Sequence, residues 1–453
     1  MEIGRHIGKG TWALADKSLP VLYGVGFVFL VIRILPKEEF GIYVLIQNAF
    51  LLLVAMGTSF ALQPMVKYAA ETDDPASIAA AGSWMYAIFV MGVSFLIIVF
   101  KSPLSRLFHA PSFASLAWFL PIMLLVSFVR TVALALFQSK VLIQQMFWVN
   151  TVYFVGSLVA IAALLKEAQN QTASVLLVIS TSALAASSLL ALILVRGSFP
   201  RGGWRKVFSF EAERGIVIKT WNYGKFSFGA SSMYALFTQG DSFVIASILG
   251  PVSVALYNAA RVFTRIFDVI LQVIVTFLVP TSSRLSSQKN SVELIALAEK
   301  STFVFMAGVL PISVLLCLFA PEILSVFYRD RYAEAVPLLR ILALSGLAVP
   351  LIGVASSFLF GIGKVYEVFI TSLINTIIAI LLFAVGTYMW GVNGAAWTMV
   401  FVSLFTAFTY GFTLIRFANV PLRVKSIVLR YRDAVNFVRK LLLEKVRGQF
   451  FPP

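Results

Sequence analysis

Five polar residues fall on one face of a strongly apolar segment near the middle of the chain. This polar stripe comprises Asn258, Arg261, Arg265, Asp268 and Gln272, whose spacing of three or four residues aligns side chains along an α-helix. A charge that faces lipid costs about 2.5–3.5 kcal/mol even on a lenient insertion scale. The stripe therefore predicts a bundle interior or a water-filled cavity, and its two arginines against one aspartate suit an anionic ligand.

The sequence leaves two interpretations of this stripe open. In the first, Arg261 and Arg265 bind an anionic substrate, with Asn258 and Gln272 beside them. In the second, the stripe is a buried structural network in which Asp268 satisfies Arg265 three residues away. Arg261 then has no obvious local partner in the sequence.

Other charged residues also lie within predicted membrane spans. Lys17 is a candidate to line the same cavity while its neighbour Asp16 meets an adjacent helix, because adjacent helical residues point about 100° apart. Alternatively, both lie near the cytoplasmic end and extend to water. Arg130 lies inside the fourth apolar segment, and Asp241 either caps a short outer loop or faces the cavity. We expect Asp16, Asp241, Asp268 and Arg130 to be coupling groups or members of structural ion pairs.

The composition places these residues in a polytopic membrane protein. The 453 residues are 60% hydrophobic and the mean hydropathy is +0.92, whereas soluble domains are about 45–50% apolar. Two histidines and one cysteine predict no metal site, no cofactor and no disulfide framework. The net charge of +16 comes from basic residues that flank apolar runs, so we expect membrane lipids rather than nucleic acid as its partner.

Twelve spans of about 20 apolar residues are predicted. They cover residues 11–35, 41–66, 79–100, 114–137, 147–165, 173–195, 221–248, 254–280, 298–320, 336–360, 367–389 and 393–417. The connections between spans alternate in charge, and the set that includes both termini is much richer in lysine and arginine than the other set. The positive-inside rule therefore places both termini in the cytoplasm. We expect the protein to lie in the cytoplasmic membrane.

The two halves of the chain resemble each other. At an offset of 214 residues, identical residues recur between 10–43 and 224–257, including Gly26/Gly240 and Tyr43/Tyr257. Six spans per half give both halves the same orientation, so the sequence predicts an all-α fold of two six-helix bundles related by a parallel pseudo-two-fold axis. Such an architecture is typical of a transporter with its site between the halves. Chance similarity between apolar helices is the alternative.

This organisation predicts four segments. Residues 1–196 form the N-terminal six-helix lobe and 221–418 the C-terminal lobe. Residues 197–220 form a basic cytoplasmic linker with interfacial aromatic residues. Residues 419–453 form a basic amphipathic cytoplasmic tail on anionic lipid.

Several segments resemble the polysaccharide-export flippases of the multidrug/oligosaccharidyl-lipid/polysaccharide exporter superfamily. The first is Arg33–Tyr43, which matches the first outer loop of those proteins. The matching segments of the second half are Gly240–Ala246, Leu249–Gly250, Tyr257–Ala260 and Pro280–Ser283. The resemblance covers nearly the whole chain, but its motifs are diffuse and identify the family better than the substrate.

The resemblance implies a fold like that of the multidrug exporters of the superfamily, working by alternating access. It implies a central cavity lined by spans 1, 2, 7 and 8, and a cargo of oligosaccharide on a polyprenyl diphosphate. Arginine and lysine in such cavities are thought to hold the diphosphate, and Lys17, Arg261 and Arg265 occupy suitable spans. No family motif assigns these residues individually. A polysaccharide polymerase and chain-length proteins are further expected partners.

Three other functions remain open at this point. A multidrug or cation antiporter of the same fold would favour an acidic cavity, whereas the stripe is net basic. A membrane-embedded glycosyltransferase, polymerase or ligase needs an acid–base or metal site, and no paired carboxylates or histidine cluster are evident, so we expect no enzyme. A non-transporting scaffold is the third. The sequence names neither the glycan nor the coupling ion.

Overall fold

A computed structural model describes residues 2–32, 35–72, 74–164, 172–198, 203–209, 213–288, 291–329 and 331–418. This part of the chain is almost entirely helical and contains no strand. The first helices are α1 (Glu2–Val31), α2 (Lys37–Gly57), α3 (Gln63–Ala70), α4 (Pro75–Leu107), α5 (Pro111–Leu116), α6 (Phe119–Ser139), α7 (Ile143–Leu164), α8 (Ala173–Ser198) and α9 (Gly203–Val207). The others are α10 (Arg214–Leu249), α11 (Pro251–Thr264), α12 (Ile266–Ser287), α13 (Ser291–Leu318), α14 (Ala320–Tyr328), α15 (Val336–Ala343), α16 (Val349–Gly361) and α17 (Val365–Ala418).

Within the described residues, nine helical segments are long and apolar enough to cross a membrane. They are Lys37–Ala69, Pro75–Leu107, Pro111–Ser139, Ile143–Ala163, Ala173–Ser198, Ile266–Ser287, Val292–Leu318, Ala333–Gly361 and Val365–Phe417. They correspond to predicted spans 2–6, 8–10 and, in the last segment, 11 and 12 together. The two other predicted spans lie in the long helices α1 and α10. The protein is thus a multi-pass all-α membrane protein.

The longest segment, α17, is two helices joined at a sharp bend. Gly391 has φ 60° and ψ −145°, a conformation that is essentially restricted to glycine. Hydrogen bonds pair the two arms in antiparallel order, from Thr371–Thr413 (3.1 Å) to Asn375–Thr409 (2.9 Å). Predicted spans 11 and 12 are therefore adjacent antiparallel helices.

The predicted linker and tail are only partly described. Part of the 197–220 segment is helical: it contains α9, and it contains the first turns of α10, which begins at Arg214. The amphipathic tail at 419–453 lies outside the described residues.

The predicted single helix over 254–280 is interrupted at Arg265, so that expectation was wrong. Arg265 has φ −61° and ψ −16°, close to 3₁₀ values, and its carbonyl accepts from the Asp268 N–H three residues on at 3.1 Å. A tightened turn of this kind inside a helical run often marks a hinge or a functional position. The stripe therefore runs over two helices, α11 and α12.

The chain divides into two compact units. The first comprises 1–262, 324–333 and 383–392, and the second comprises 263–323, 334–382 and 393–453. This division does not follow the predicted repeat. Helix α10 begins the predicted second half but packs on α2 and α4 of the first half, so it belongs to the first unit. The repeat and the lobe boundaries derived from it stay predictions.

Hydrogen bonds explain why 324–333 groups with the first unit. Tyr328 is fully buried and its hydroxyl donates to the Ala259 carbonyl on α11 at 2.8 Å. The Arg331 guanidinium donates to the Leu35 carbonyl at 3.1 Å. The first of these bonds fixes α11, which carries the first part of the stripe, against α14.

In the second unit, α12 packs on α16 around Ile274 and Phe358, both with no exposed surface. This apolar contact positions the helix that carries the second part of the stripe.

Candidate functional site

The centre of the first candidate site is an ion pair between Arg261 on α11 and Asp241 on α10. The Arg261 Nη1 contacts the Asp241 carboxylate, and its Nη2 donates to the Thr238 carbonyl at 2.6 Å. The side chains of Arg261 and Asp241 are only 14% and 1% exposed. Two helices joined by a single connecting glycine, Gly250 (φ 81°), bring the pair together.

Asn258 supports this pair from one turn earlier on α11. Its Nδ2 donates to Ser242 Oγ at 3.2 Å and to the Val254 carbonyl at 3.0 Å. The Ser242 N–H in turn donates to the Asp241 Oδ1 at 2.7 Å. The carboxylate is thus oriented by the backbone on one side while it balances the guanidinium on the other.

This geometry corrects two expectations. Arg261 does have a local partner, on the preceding helix rather than on its own. Asp241 does not cap an outer loop, because it lies inside α10, eight residues before the end of that helix. A pattern restricted to one helix could not reveal a pair formed between two.

The second part of the stripe has a different environment. Arg265, Asp268 and Gln272 are all exposed, whereas Asn258 is only 8% exposed. The three exposed residues belong to the second compact unit, whereas Arg261 and Asn258 belong to the first. The predicted stripe is therefore divided into a buried, fixed part and an open, accessible part.

A separate polar network surrounds Arg130 in the core of the first unit. Its Nη2 donates to Asn150 Oδ1 at 2.6 Å, and its Nε donates to Ser187 Oγ at 3.1 Å. The guanidinium also lies over the Tyr153 ring, 5.0 Å from the centroid. Asn150 completes the link by donating to Asp16 Oδ1 at 2.7 Å.

Helices α1, α6, α7 and α8 each contribute a side chain to this network. Asp16 is 8% exposed and accepts from Asn150 of a neighbouring helix, as expected, so the alternative in which it extends to water is wrong. Lys17, the adjacent residue, is exposed. The roles of Asn150 and Ser187 were not predicted, because an isolated amide or hydroxyl in an apolar helix gives no sequence signal of its own.

The comparison with known families is decisive for identity. Residues 18–286, more than half of the chain, match the family described as polysaccharide biosynthesis protein. The chain belongs to this family.

The chain is similar in sequence to the amylovoran biosynthesis protein AmsL of Erwinia amylovora. It is 24% identical over 193 residues, which are 41% of this chain and 47% of that protein. The matched stretch thus spans about half the length of that relative.

Solved structures with the same fold are transporters. One is an inward-facing multidrug resistance MATE transporter of the MOP superfamily, with a TM-score of 0.76 at 15% identity over 90% of this chain and 98% of that one. Another is the lipid II flippase MurJ in an inward closed conformation, with a TM-score of 0.72 at 14% identity over 99% of this chain and 94% of that one. At such identities the likeness is one of fold. This polysaccharide biosynthesis family member therefore shares the fold of these two proteins, as expected from the resemblance.

Proposed function

We propose that the protein is a flippase, which moves a polyprenyl-diphosphate-linked oligosaccharide from the cytoplasmic to the outer leaflet for surface polysaccharide biosynthesis. The observation that carries the proposal is the family match over residues 18–286 on a chain with the fold of a lipid flippase. The protein lies in the cytoplasmic membrane with both termini in the cytoplasm, and its cargo and the surrounding lipids are its main partners.

The cargo needs a replacement for the water that hydrates its diphosphate. Guanidinium groups supply one, because they donate charge-assisted, bidentate hydrogen bonds to phosphate oxygens. Arg265 and Lys17 are exposed and accessible to such an anion. Gln272 is exposed in the same part of the stripe as Arg265 and offers an amide to the sugar.

Arg261 has a different part in the proposed cycle, because Asp241 already balances its charge. An entering diphosphate competes with the Asp241 carboxylate for the guanidinium. Asn258 donates to Ser242, the residue after Asp241, so movement of Asp241 would also free the Asn258 amide to bind the cargo. Substrate binding then opens the contact between α10 and α11. A substrate can drive such a change only through a difference in affinity between the two states, and exchange of this pair supplies one.

Coupling to an ion gradient is assigned separately. We interpret Asp16 and Arg130 as a structural pair, because an amide and a hydroxyl already satisfy the guanidinium. Asp268 is exposed and is the better candidate for proton or sodium coupling.

The proposal is tested in a deletion strain that lacks the chromosomal gene. Wild-type protein should restore surface polysaccharide, and its absence should leave lipid-linked oligosaccharide accumulating in the cytoplasmic leaflet. Arg265→Ala should restore much less at equal membrane levels, whereas Arg284→Ala, an exposed arginine on the same helix, should restore export fully. Unchanged polysaccharide in the deletion strain would refute the proposal.

A multidrug cation antiporter is a second candidate, favoured by the high TM-score to a MATE transporter. It predicts that overexpression lowers the host's sensitivity to cationic drugs such as ethidium without altering polysaccharide. The flippase proposal predicts unchanged sensitivity to such drugs and a change in surface polysaccharide.

A further inference from the structure

A second basic site lies on the first unit, away from the stripe. It is an open cleft of about 630 Å³ between α3 and α10. Its lining residues are Tyr68, Lys219, Asn222, Tyr223 and Ser227. We call it the lysine–tyrosine cleft, and we include Lys67, whose ammonium group lies over two of its rings.

The lysines and tyrosines of the cleft alternate in space. The Lys67 Nζ is 4.9 Å from the Tyr223 ring centroid and 5.4 Å from that of Tyr68. The Lys219 Nζ is 4.3 Å from the Tyr68 centroid. Since both ammonium groups lie over Tyr68, they are within roughly 10 Å of each other, about one Debye length at physiological ionic strength.

Among the residues that the structure describes, no carboxylate forms an ion pair with either of these two lysines, Lys67 and Lys219. Their cation–π contacts hold them in place but leave the net charge intact. Two close, unneutralised ammonium groups raise the local affinity for an anion with two negative centres.

The local backbone explains how two helices create the cleft. Residues Thr58–Leu62 form a π-helical turn between α2 and α3, and such turns frequently occur at functional sites. Gly224 of α10 packs against this turn so closely that a Cβ would overlap the Phe60 carbonyl oxygen. Ser227 Oγ then donates to Gln63 Oε1 at 2.5 Å, which fixes α10 against the start of α3.

The position of the cleft along α10 is also informative. This helix has 36 residues, a length of about 54 Å, whereas the hydrocarbon core of a membrane is about 30 Å thick. Lys219 and Tyr223 lie in its first ten residues. Lys219 belongs to the predicted cytoplasmic linker 197–220, and Tyr223 is the third residue of the predicted span that follows it. Lys67 follows the second span on the same predicted side.

The chemistry of the cleft suits a diphosphate that carries a sugar. Two ammonium groups match the two phosphates, and the Asn222 amide supplies donor and acceptor groups for hydroxyls. Tyr223 is 39% exposed and offers an aromatic face on which the apolar face of a sugar ring can pack.

We propose that the lysine–tyrosine cleft is a docking site for the sugar-diphosphate headgroup of a membrane-borne lipid on the cytoplasmic side, where the cargo first binds. This deepens the proposed flippase function and rests on it. The same headgroup chemistry occurs in soluble nucleotide sugars, so the test includes both sources.

The experiment measures binding to the full-length protein in phosphatidylcholine nanodiscs. The membrane-borne probe is farnesyl diphosphate, and the soluble probes are UDP-N-acetylglucosamine and inorganic pyrophosphate. Lys67→Gln/Lys219→Gln should raise the Kd for farnesyl diphosphate about tenfold or more, equivalent to about 1.4 kcal/mol. Lys67→Arg/Lys219→Arg should bind nearly as the wild type does.

The matched control is Lys101→Gln. Lys101 also lies over an aromatic ring, 4.4 Å from the Trp118 centroid, but outside the cleft, so its Kd should be unchanged. Thermal melts check that each variant is folded, which is expected because Lys67 and Lys219 are exposed.

The outcomes separate this site from the flippase function. Equal affinity of the glutamine variant and wild type would overturn the cleft while glycan export by the wild type still supports the flippase. Tighter binding of UDP-N-acetylglucosamine than of farnesyl diphosphate would overturn the lipid source. Normal polysaccharide in the deletion strain would remove the flippase and the docking role together.

Discussion

Two arginines inside the first compact unit are balanced in different ways. Arg130 is held by an amide, a hydroxyl and an aromatic ring, and its carboxylate partner Asp16 is reached only through Asn150. Arg261 contacts its carboxylate, Asp241, directly and has a backbone carbonyl as its second acceptor.

The difference indicates which site can change state. Moving Arg130 would break its contacts with side chains of two neighbouring helices, α7 and α8, at once, so its network resists rearrangement. Arg261 depends mainly on one carboxylate, and its helix ends three residues later at the interrupted turn. A competing anion could replace that carboxylate. The account therefore assigns stability to Arg130 and switching to Arg261.

The largest effect is expected from Arg130→Ala. It removes the partner of Asn150 and Ser187 and leaves the buried Asp16 carboxylate without the positive charge of its network. An uncompensated buried charge costs about 3–5 kcal/mol. Thermal melts by fluorescence-detected size exclusion should show a strongly destabilised protein with low membrane levels. Arg196→Ala is the control, because that arginine is exposed and stacks on Trp204. A melting temperature of the Arg130→Ala variant equal to that of the wild type would contradict the structural role assigned to Arg130.

A smaller loss of stability is expected from Arg261→Ala. The Asp241 carboxylate is left buried and unpaired but keeps its bond from the Ser242 N–H, so the cost should lie near the lower end of the range for a broken buried ion pair, about 3 kcal/mol. Adding Asp241→Asn should restore the melting temperature, since no buried charge is then left unpaired. Export should stay defective in the double variant. Recovery of export along with stability would make the pair structural, like Arg130.

The sequence predicted the class of fold well because composition and charge distribution are averages over many residues. It predicted the stripe residues too, but not their division. Whether Arg261 is buried depends on α10, which supplies Asp241 across Gly250, and a helical period describes one helix only. The break at Arg265 is equally local, because its ψ of −16° differs from the usual α-helical value by only about 25° within a continuous apolar run.

The Arg130 network shows the same limit. Asp16 and Arg130 were recognisable as charges within apolar spans, but the bridging Asn150 lies 134 residues from Asp16. Only the packing of α1, α6, α7 and α8 identifies it. The lysine–tyrosine cleft likewise depends on the approach of α3 to α10.

Arg265→Ala sharpens the comparison from the open part of the stripe. Because Arg265 is exposed, its loss should change the free energy of unfolding by no more than about 0.5 kcal/mol. Export should nevertheless fall about tenfold, equivalent to about 1.4 kcal/mol of lost interaction with the cargo. Lysine at this position should restore part of the activity. Equal losses of stability and export would indicate a structural role instead.

The smallest effect is expected at an exposed pair outside the membrane. Lys206 donates to Asp74 at 2.9 Å, and this hydrogen bond, together with those from Ser77, lowers the pKa of Asp74 to about 2. A lowered folded-state pKa stabilises the protein above the unfolded value near 4, and this contribution is lost as the pH falls towards 2. Lys206→Gln should cost about 0.2–1 kcal/mol at neutral pH. The difference in melting temperature from the wild type should shrink below pH 4, and a constant difference across this range would contradict the assignment.

The most direct test of the central claim is transbilayer movement in proteoliposomes that contain a polyprenyl-diphosphate-linked oligosaccharide. The measured quantity is the rate at which inner-leaflet glycan becomes sensitive to periodate added outside, an oxidant that crosses the bilayer slowly. Wild-type protein should raise this rate well above that of empty liposomes, and the folded Arg261→Ala/Arg265→Ala variant should not. A wild-type rate equal to that of empty liposomes would contradict the flippase function, and equal rates for variant and wild type would contradict the role of the two arginines.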